Sequence, residues 1–180
     1  RERACRYLYA GCRRRWYLPP RLRPLSLVSS PLSAFSSLGL APSLVRATED
    51  LGWTVPTQIQ IDAIPHARDG KDVLACAMTG SGKTGAFLLP LLHRLQQHQT
   101  RATRALVLTP TRELAAQVHS DLVNLAKHSG IKGAAVFGGV GMGPQESAFR
   151  NRVDVVIATP GRLLDHLGQR AAHDNILRAI

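Results

Sequence analysis

Cysteine is scarce in this chain, with three residues in 180: Cys5, Cys12 and Cys76. Their spacing fits neither a zinc site nor a disulfide framework. The seven histidines show no ligand-like pairing either; His93 and His98 stand too far apart to share a helix face. A reducing, cytoplasmic setting is the expectation. Long apolar runs are also absent. The longest, around Ala86–Leu92, is broken by Pro90 and falls far short of the ~20 residues that cross a bilayer, so no membrane partner is expected. Acidic residues are few, 12 against 23 Lys and Arg, and the net charge is +11. There is no initiator Met, so the sequence need not begin at a natural start.

The charge is uneven. Residues 1–30 hold eight Arg and a single acid, which leaves the remainder only mildly basic. That balance permits an RNA partner without demanding one. The first part, residues 1–34, shows Arg13-Arg14-Arg15, Pro19-Pro20 and Ser29-Ser30-Pro31 with no sustained period. Three readings stand: translated sequence upstream of the true start, an Arg-rich transit-like leader, or a basic arm that touches nucleic acid. The first is favoured, and the stretch is left out of the fold. At 180 residues the chain is one domain by length, taken here as residues 35–180.

From Leu38 onward the pattern is orderly. Pro42–Glu49 reads as a short helix that stops near Gly52. Thr57 is a good N-cap for a second helix over Gln58–Ile64, which must end about Pro65. Asp72–Ala77 reads as a strand, with Cys76 a small core residue. Lys83–Gln97 is helical, with Phe87, Leu88, Leu91, Leu92 and Leu95 on a buried face and a kink at Pro90. Ala105–Thr109 is a strand. Thr111 to about His128 is a helix with Leu114, Val118, Leu122 and Leu125 on one stripe, ended by Gly130. Gly133–Phe137 and Asp154–Ala158 are further strands, and Arg162–Leu167 is a last helix. Strand and helix alternate, which predicts an α/β fold: a mostly parallel sheet with helices on both faces. Ligands of such sheets sit beyond the carboxyl ends of the strands.

The residues between the first strand and its helix are the most telling. Thr79-Gly80-Ser81-Gly82-Lys83-Thr84 is a glycine-rich loop followed by Lys-Thr at the start of a helix, the layout of a nucleoside triphosphate site. Gly80 and Gly82 can take backbone angles barred to other residues and let N–H groups close on phosphate oxygens. The helix start adds its dipole and its unpaired N–H groups. Lys83 would reach the β- and γ-phosphates, and Thr84 would hold Mg²⁺. The usual pattern begins with Gly, where this chain has Ala77.

Other segments narrow the class. Gly52-Trp53-Thr54-Val55-Pro56-Thr57-Gln58-Ile59-Gln60 precedes the loop. Pro110-Thr111-Arg112-Glu113 opens the helix after the second strand. Gly138-Gly139 follows the third strand, and Thr159-Pro160-Gly161-Arg162 follows the fourth. Alone, each has a plain alternative: Gln60 an exposed helix residue, Trp53 a packing residue, Arg112-Glu113 solvated first-turn charges, Gly138-Gly139 and Thr-Pro-Gly-Arg turns. In this order they resemble the first RecA-like domain of a DEAD-box RNA helicase, from about Phe35 to the end of the chain.

The resemblance implies a P-loop NTPase of RecA-like fold that binds ATP with Mg²⁺ and grips RNA by its sugar–phosphate backbone, without reading sequence. It assigns Gln60 to the adenine edge, with Trp53 and Thr57 in the same motif, and Phe35 to stacking on the base. An amide pairs two-pronged with adenine N6 and N7. Thr79–Thr84 would hold phosphate and metal, with Lys83 and Thr84 serving catalysis. Pro110, Thr111, Arg112, Glu113, Gly138, Gly139, Thr159, Pro160, Gly161 and Arg162 would contact RNA. Two features of the family are missing from this sequence: the Asp-Glu-Ala-Asp segment with its acidic metal ligand, and the second RecA-like domain with its arginine finger. The expectation is a domain incomplete at its C-terminus and a fragment that hydrolyses ATP poorly alone. The rivals are another P-loop NTPase, such as a kinase or DNA-acting ATPase, and a non-catalytic nucleotide- or RNA-binding module.

Overall fold

The structure, a computed structural model, describes residues 34–98, 100 and 102–168. These all fall within one unit, Leu32–Ile180. The three readings of residues 1–34 concern, apart from Ala34, residues outside the described range.

A 3₁₀ turn over Ala34–Leu38 leads into α1 (Pro42–Asp50) and α2 (Gln58–Arg68). Then follow α3 (Lys83–Gln97), β1 (Ala105–Leu108), α4 (Arg112–Ala126), β2 (Gly133–Val136), α5 (Met142–Arg150), β3 (Val155–Ala158) and α6 (Pro160–Leu167). The strands form a parallel sheet in the order β1-β3-β2. Among the described strands the last in sequence, β3, is therefore the central one, and all four of its residues are buried. A strand covered on both faces needs an unbroken apolar run, which Val-Val-Ile-Ala provides.

Alternation along β3 divides the core. Val155 and Ile157 point into a cluster with Leu88, Leu92, Val118 and Leu122 of α3 and α4. Val156 and Ala158 point the other way, onto Phe149 of α5 and Leu163 of α6. Helices thus cover both faces of a parallel sheet, as the alternating pattern predicts. At the amino ends of the strands Arg104 holds Asp154 through Nε at 3.1 Å and Nη2 at 2.5 Å. The other Asp154 oxygen accepts from the Lys132 N–H at 2.9 Å. One carboxylate therefore joins the lead-ins of all three strands.

The structure departs from the sequence expectations in several places. Asp72–Ala77 is not a strand: it makes no ladder, and Leu74 is fully exposed. An extended segment becomes a strand only beside a partner. A cavity of about 1000 Å³, lined by Asp72–Ala75 on one side and Val107 and Leu108 on the other, lies between this segment and β1. Cys76 is consequently an exposed free thiol rather than a core residue. The same cavity leaves Phe87 39% exposed, although its place on the α3 stripe predicts burial. Leu114 is likewise at the rim of the α4 stripe, 36% exposed.

The helix α2 does not stop at Pro65 but runs on to Arg68. Proline forfeits one backbone donor. The turn is retained because Ala63 and Ile64 are buried and Arg68 Nη1 donates to Leu38 O at 3.0 Å. Pro90 sits buried within a continuous α3. The helix α5 has no counterpart in the sequence reading, because Gly141, Gly143 and Pro144 look like loop residues. At a first helical turn, where N–H groups lack intrahelical partners anyway, glycine and proline do little harm.

Candidate functional site

Gly80 and Gly82 carry φ of 80° and 89°, the left-handed region that other residues enter at a cost. Gly82 is the N-cap of α3, so the loop delivers its backbone directly to a helix N-terminus. Lys83 folds back over the loop: its ammonium donates to Ala77 O at 2.5 Å and Met78 O at 2.7 Å. Ser81 Oγ is buried and has no hydrogen-bond partner among the described residues. A buried hydroxyl without a partner is costly, and a phosphate oxygen is the kind of group that would satisfy it. Thr79 and Gly80 are exposed, and Thr84 is half-buried.

The start of α2 is pressed onto this loop. Gln60, only 3% exposed, donates from Nε2 to Gly82 O at 3.1 Å. Its Oε1 accepts from the Thr57 N–H at 3.0 Å. Gln60 is therefore a buried residue, not a solvated one. A side-chain amide has two donors and two lone pairs, so each end retains capacity for one more bond. The contact is close: a β-carbon on Gly82 would lie 2.8 Å from both Gln60 Nε2 and Thr57 Oγ1. One turn later a β-carbon on Gly85 would lie 2.8 Å from Gln60 Nε2 and from the Trp53 ring. Gly85 thus belongs to the site although no motif flags it. Its signal was local, since glycine inside a helix costs roughly 1 kcal/mol and implies a close approach. Phe35 lies 6.2 Å from Trp53 between ring centroids, tilted by 35°. It is 1% exposed and part of the main core, so in this conformation its ring packs against protein.

A second group of residues gathers at the carboxyl ends of the strands. Leu108, Ala158 and Val136 are neighbours across the sheet. The chain keeps this alignment beyond them: Thr109 N–H donates to Ala158 O at 2.9 Å and Thr159 N–H to Val136 O at 3.0 Å. The segments that leave these strands therefore emerge side by side. Thr111 caps α4, its Oγ1 accepting from Leu114 N at 3.2 Å. The Glu113 carboxyl is held below its ordinary range, chiefly by its own backbone N–H and then by the Thr111 hydroxyl. Arg112 donates from Nη1 to Gly138 O at 3.2 Å. Arg162, on the neighbouring helix, donates from Nη2 to Val140 O at 2.7 Å. Two guanidinium groups thus hold one loop at carbonyls two residues apart, each keeping donors in reserve. Pro110, Gly139, Pro160 and Gly161 are exposed beside them. Gly139 takes φ of 87°, and a β-carbon there would collide with the Arg112 guanidinium.

Lys83 and Thr84 line the same cavity as Leu108 and Thr109. The 79–84 loop and the strand-end segments therefore border one region of the molecule.

A loop fit for phosphate, an amide locked onto it and paired arginines at parallel strand ends are joined here by a match over most of the chain. Residues 57–180 match the sequence model of the DEAD/DEAH box helicase family. The chain belongs to this family. It is 51% identical over 143 residues to a probable ATP-dependent RNA helicase, ddx27, of Dictyostelium discoideum, which covers 78% of this chain and 18% of that protein. It is 48% identical over 133 residues to the probable ATP-dependent RNA helicase DDX47 of Homo sapiens, covering 74% of this chain and 29% of that one. Among solved structures, a DEAD box protein from Methanococcus jannaschii superimposes with a TM-score of 0.70 at 35% identity, over 77% of this chain and 38% of that one. The fold is accordingly the RecA-like α/β fold of DEAD-box proteins. The chain spans less than a third of the length of these curated relatives.

Proposed function

We propose that the protein is an ATP-dependent RNA helicase, and that residues 35–180 belong to the first of two RecA-like domains, the other lying outside this sequence. ATP with Mg²⁺ supplies the scissile phosphoanhydride and the charge that steadies it. The residues of this chain bind and orient. The Gly80–Gly82 backbone and the N-terminus of α3 receive phosphate oxygens, with Ser81 Oγ as an added donor. Lys83 exchanges the Ala77 and Met78 carbonyls for phosphate, a stronger, charged acceptor. Thr84 offers its hydroxyl to the metal. Gln60 keeps one donor and one lone pair for the adenine edge while its other bonds hold the loop and the α2 start, so base recognition and loop geometry are linked. Trp53 and Thr57 support that amide, and Phe35 would stack on the base only by turning out of the core, where it packs against Trp53. The exposed thiol of Cys76 suits a reducing, cytoplasmic setting.

The observation that carries the RNA half is the convergence of Arg112 and Arg162 on the Gly138–Val140 loop. Together with Thr111, Thr159 and the helix-start N–H groups, they form a strip of cationic and neutral donors, the groups that suit a sugar–phosphate backbone. ATP turnover by the whole protein, with and without single-stranded RNA, tests the reading. RNA should stimulate hydrolysis, Lys83→Ala should abolish it, and Arg112→Ala should weaken RNA binding without changing sequence preference. Turnover indifferent to RNA, or RNA binding unmoved by Arg112→Ala, would contradict it.

A further inference from the structure

One buried side chain outside every motif connects the parts of the strand-end surface. Gln145, on α5, is 6% exposed. One end of its amide faces Phe137 O at 3.1 Å and Gly141 O at 3.5 Å. Carbonyls only accept, so that end is the amino group. The other end is then the oxygen, and it faces Arg162 Nε at 3.3 Å and His166 Nε2 at 3.0 Å. An amide oxygen only accepts, which fixes the proton of His166 on Nε2. The remaining ring nitrogen, Nδ1, is buried and without a partner among the described residues. The His166 ring is held in turn against Phe149, edge-on at 5.1 Å.

The network has a direction. Phe149 and the core fix His166, His166 and the two carbonyls fix Gln145, and Gln145 fixes Nε of Arg162. The same amide holds both ends of the loop, Phe137 and Gly141, whose middle Arg162 and Arg112 hold through Val140 O and Gly138 O. With Nε tied to Gln145 and Nη2 to Val140, the plane of the Arg162 guanidinium is set before any ligand arrives. A preset donor loses less freedom on binding than a mobile one.

We propose that Gln145 is a positioning residue for RNA binding: it locks the Arg162 guanidinium and the 137–141 loop into one rigid phosphate-binding surface. The proposal rests on the RNA-binding reading above. The test is binding of a labelled single-stranded homopolymer RNA to the whole protein at one fixed salt concentration, since affinity for a polyanion falls steeply with salt. Arg162→Ala should weaken binding about tenfold, the loss of one charged hydrogen-bond donor. Gln145→Met, which keeps size but not hydrogen bonding, should weaken it about three- to tenfold. The double variant should lose less than the two single losses multiplied, because Gln145 acts in good part through Arg162. Arg162→Lys, a conservative change that does not endanger the fold, should behave like Arg162→Ala, since a single ammonium nitrogen lacks the planar fork whose separate Nε and Nη2 reach Gln145 and Val140 while other donors stay free. Full-strength binding by Gln145→Met or Arg162→Lys overturns the proposal, and so does a double variant whose losses multiply in full. If Arg162→Ala itself binds as wild type, the RNA-binding reading of this surface fails instead.

Discussion

At Gly85 a β-carbon would meet both Gln60 and Trp53 at 2.8 Å, while alanine itself would favour the helix by roughly 1 kcal/mol. The two effects act on different observables. Gly85→Ala should leave the melting temperature close to wild type and weaken ATP affinity several-fold, because the displaced amide is the one that holds the loop. A nucleotide titration beside a thermal melt checks both, and wild-type affinity would contradict the coupling. His166 gives a pH signature. Burial, and then Arg162, push its imidazole below the usual 6.5, so the folded state favours the neutral ring. The unfolded chain takes up its proton first as pH falls. This stabilising contribution is complete above about pH 6.5 and is lost as pH drops toward the folded value. His93 is shifted the same way, by burial and Arg68. Melting temperature should therefore decline below about pH 6.5, and less steeply in a His166→Leu variant that still folds.

Among the elements, the Asp154 carboxylate does the most with the least. It receives Arg104 and the Lys132 N–H where three strand lead-ins meet, and the ion pair is largely enclosed, with 13% and 19% exposure. Removing one partner strands the other charge, so Asp154→Ala should cost roughly 3 kcal/mol, near the low end for a buried pair. Chemical denaturation measures this directly; a cost below ~1 kcal/mol would place the pair among ordinary surface bridges. The helices α3 and α4 and the three strands were legible in the sequence because their apolar spacing is local information. The segment 72–77 looked equally strand-like. Its state depends on a ladder partner that no local pattern encodes, and beside it lies a cavity instead. The helix α5 is hidden by glycine and proline in its first turn, and α2 outruns Pro65 because packing of Ile64 outweighs the donor lost there.

Over the whole molecule, the candidate site is legible in the sequence where chemistry forces a residue type and illegible where only geometry does. Gly80, Gly82, Lys83 and Thr84 suggest a candidate phosphate loop by type and spacing. Arg112 and Arg162 announce only charge; that both reach one loop follows from β1, β3 and β2 lying side by side. Nothing in the sequence marks Gln145, whose part is set by the angle at which α5 and α6 cover the sheet. The most direct test of the central claim is amide hydrogen exchange on the whole protein, with and without ATP and single-stranded RNA. ATP should protect the 79–84 loop, and RNA should protect residues 111–113, 138–141 and 159–162 together, as one surface. RNA that binds while leaving those three segments exchanging as before would contradict the account.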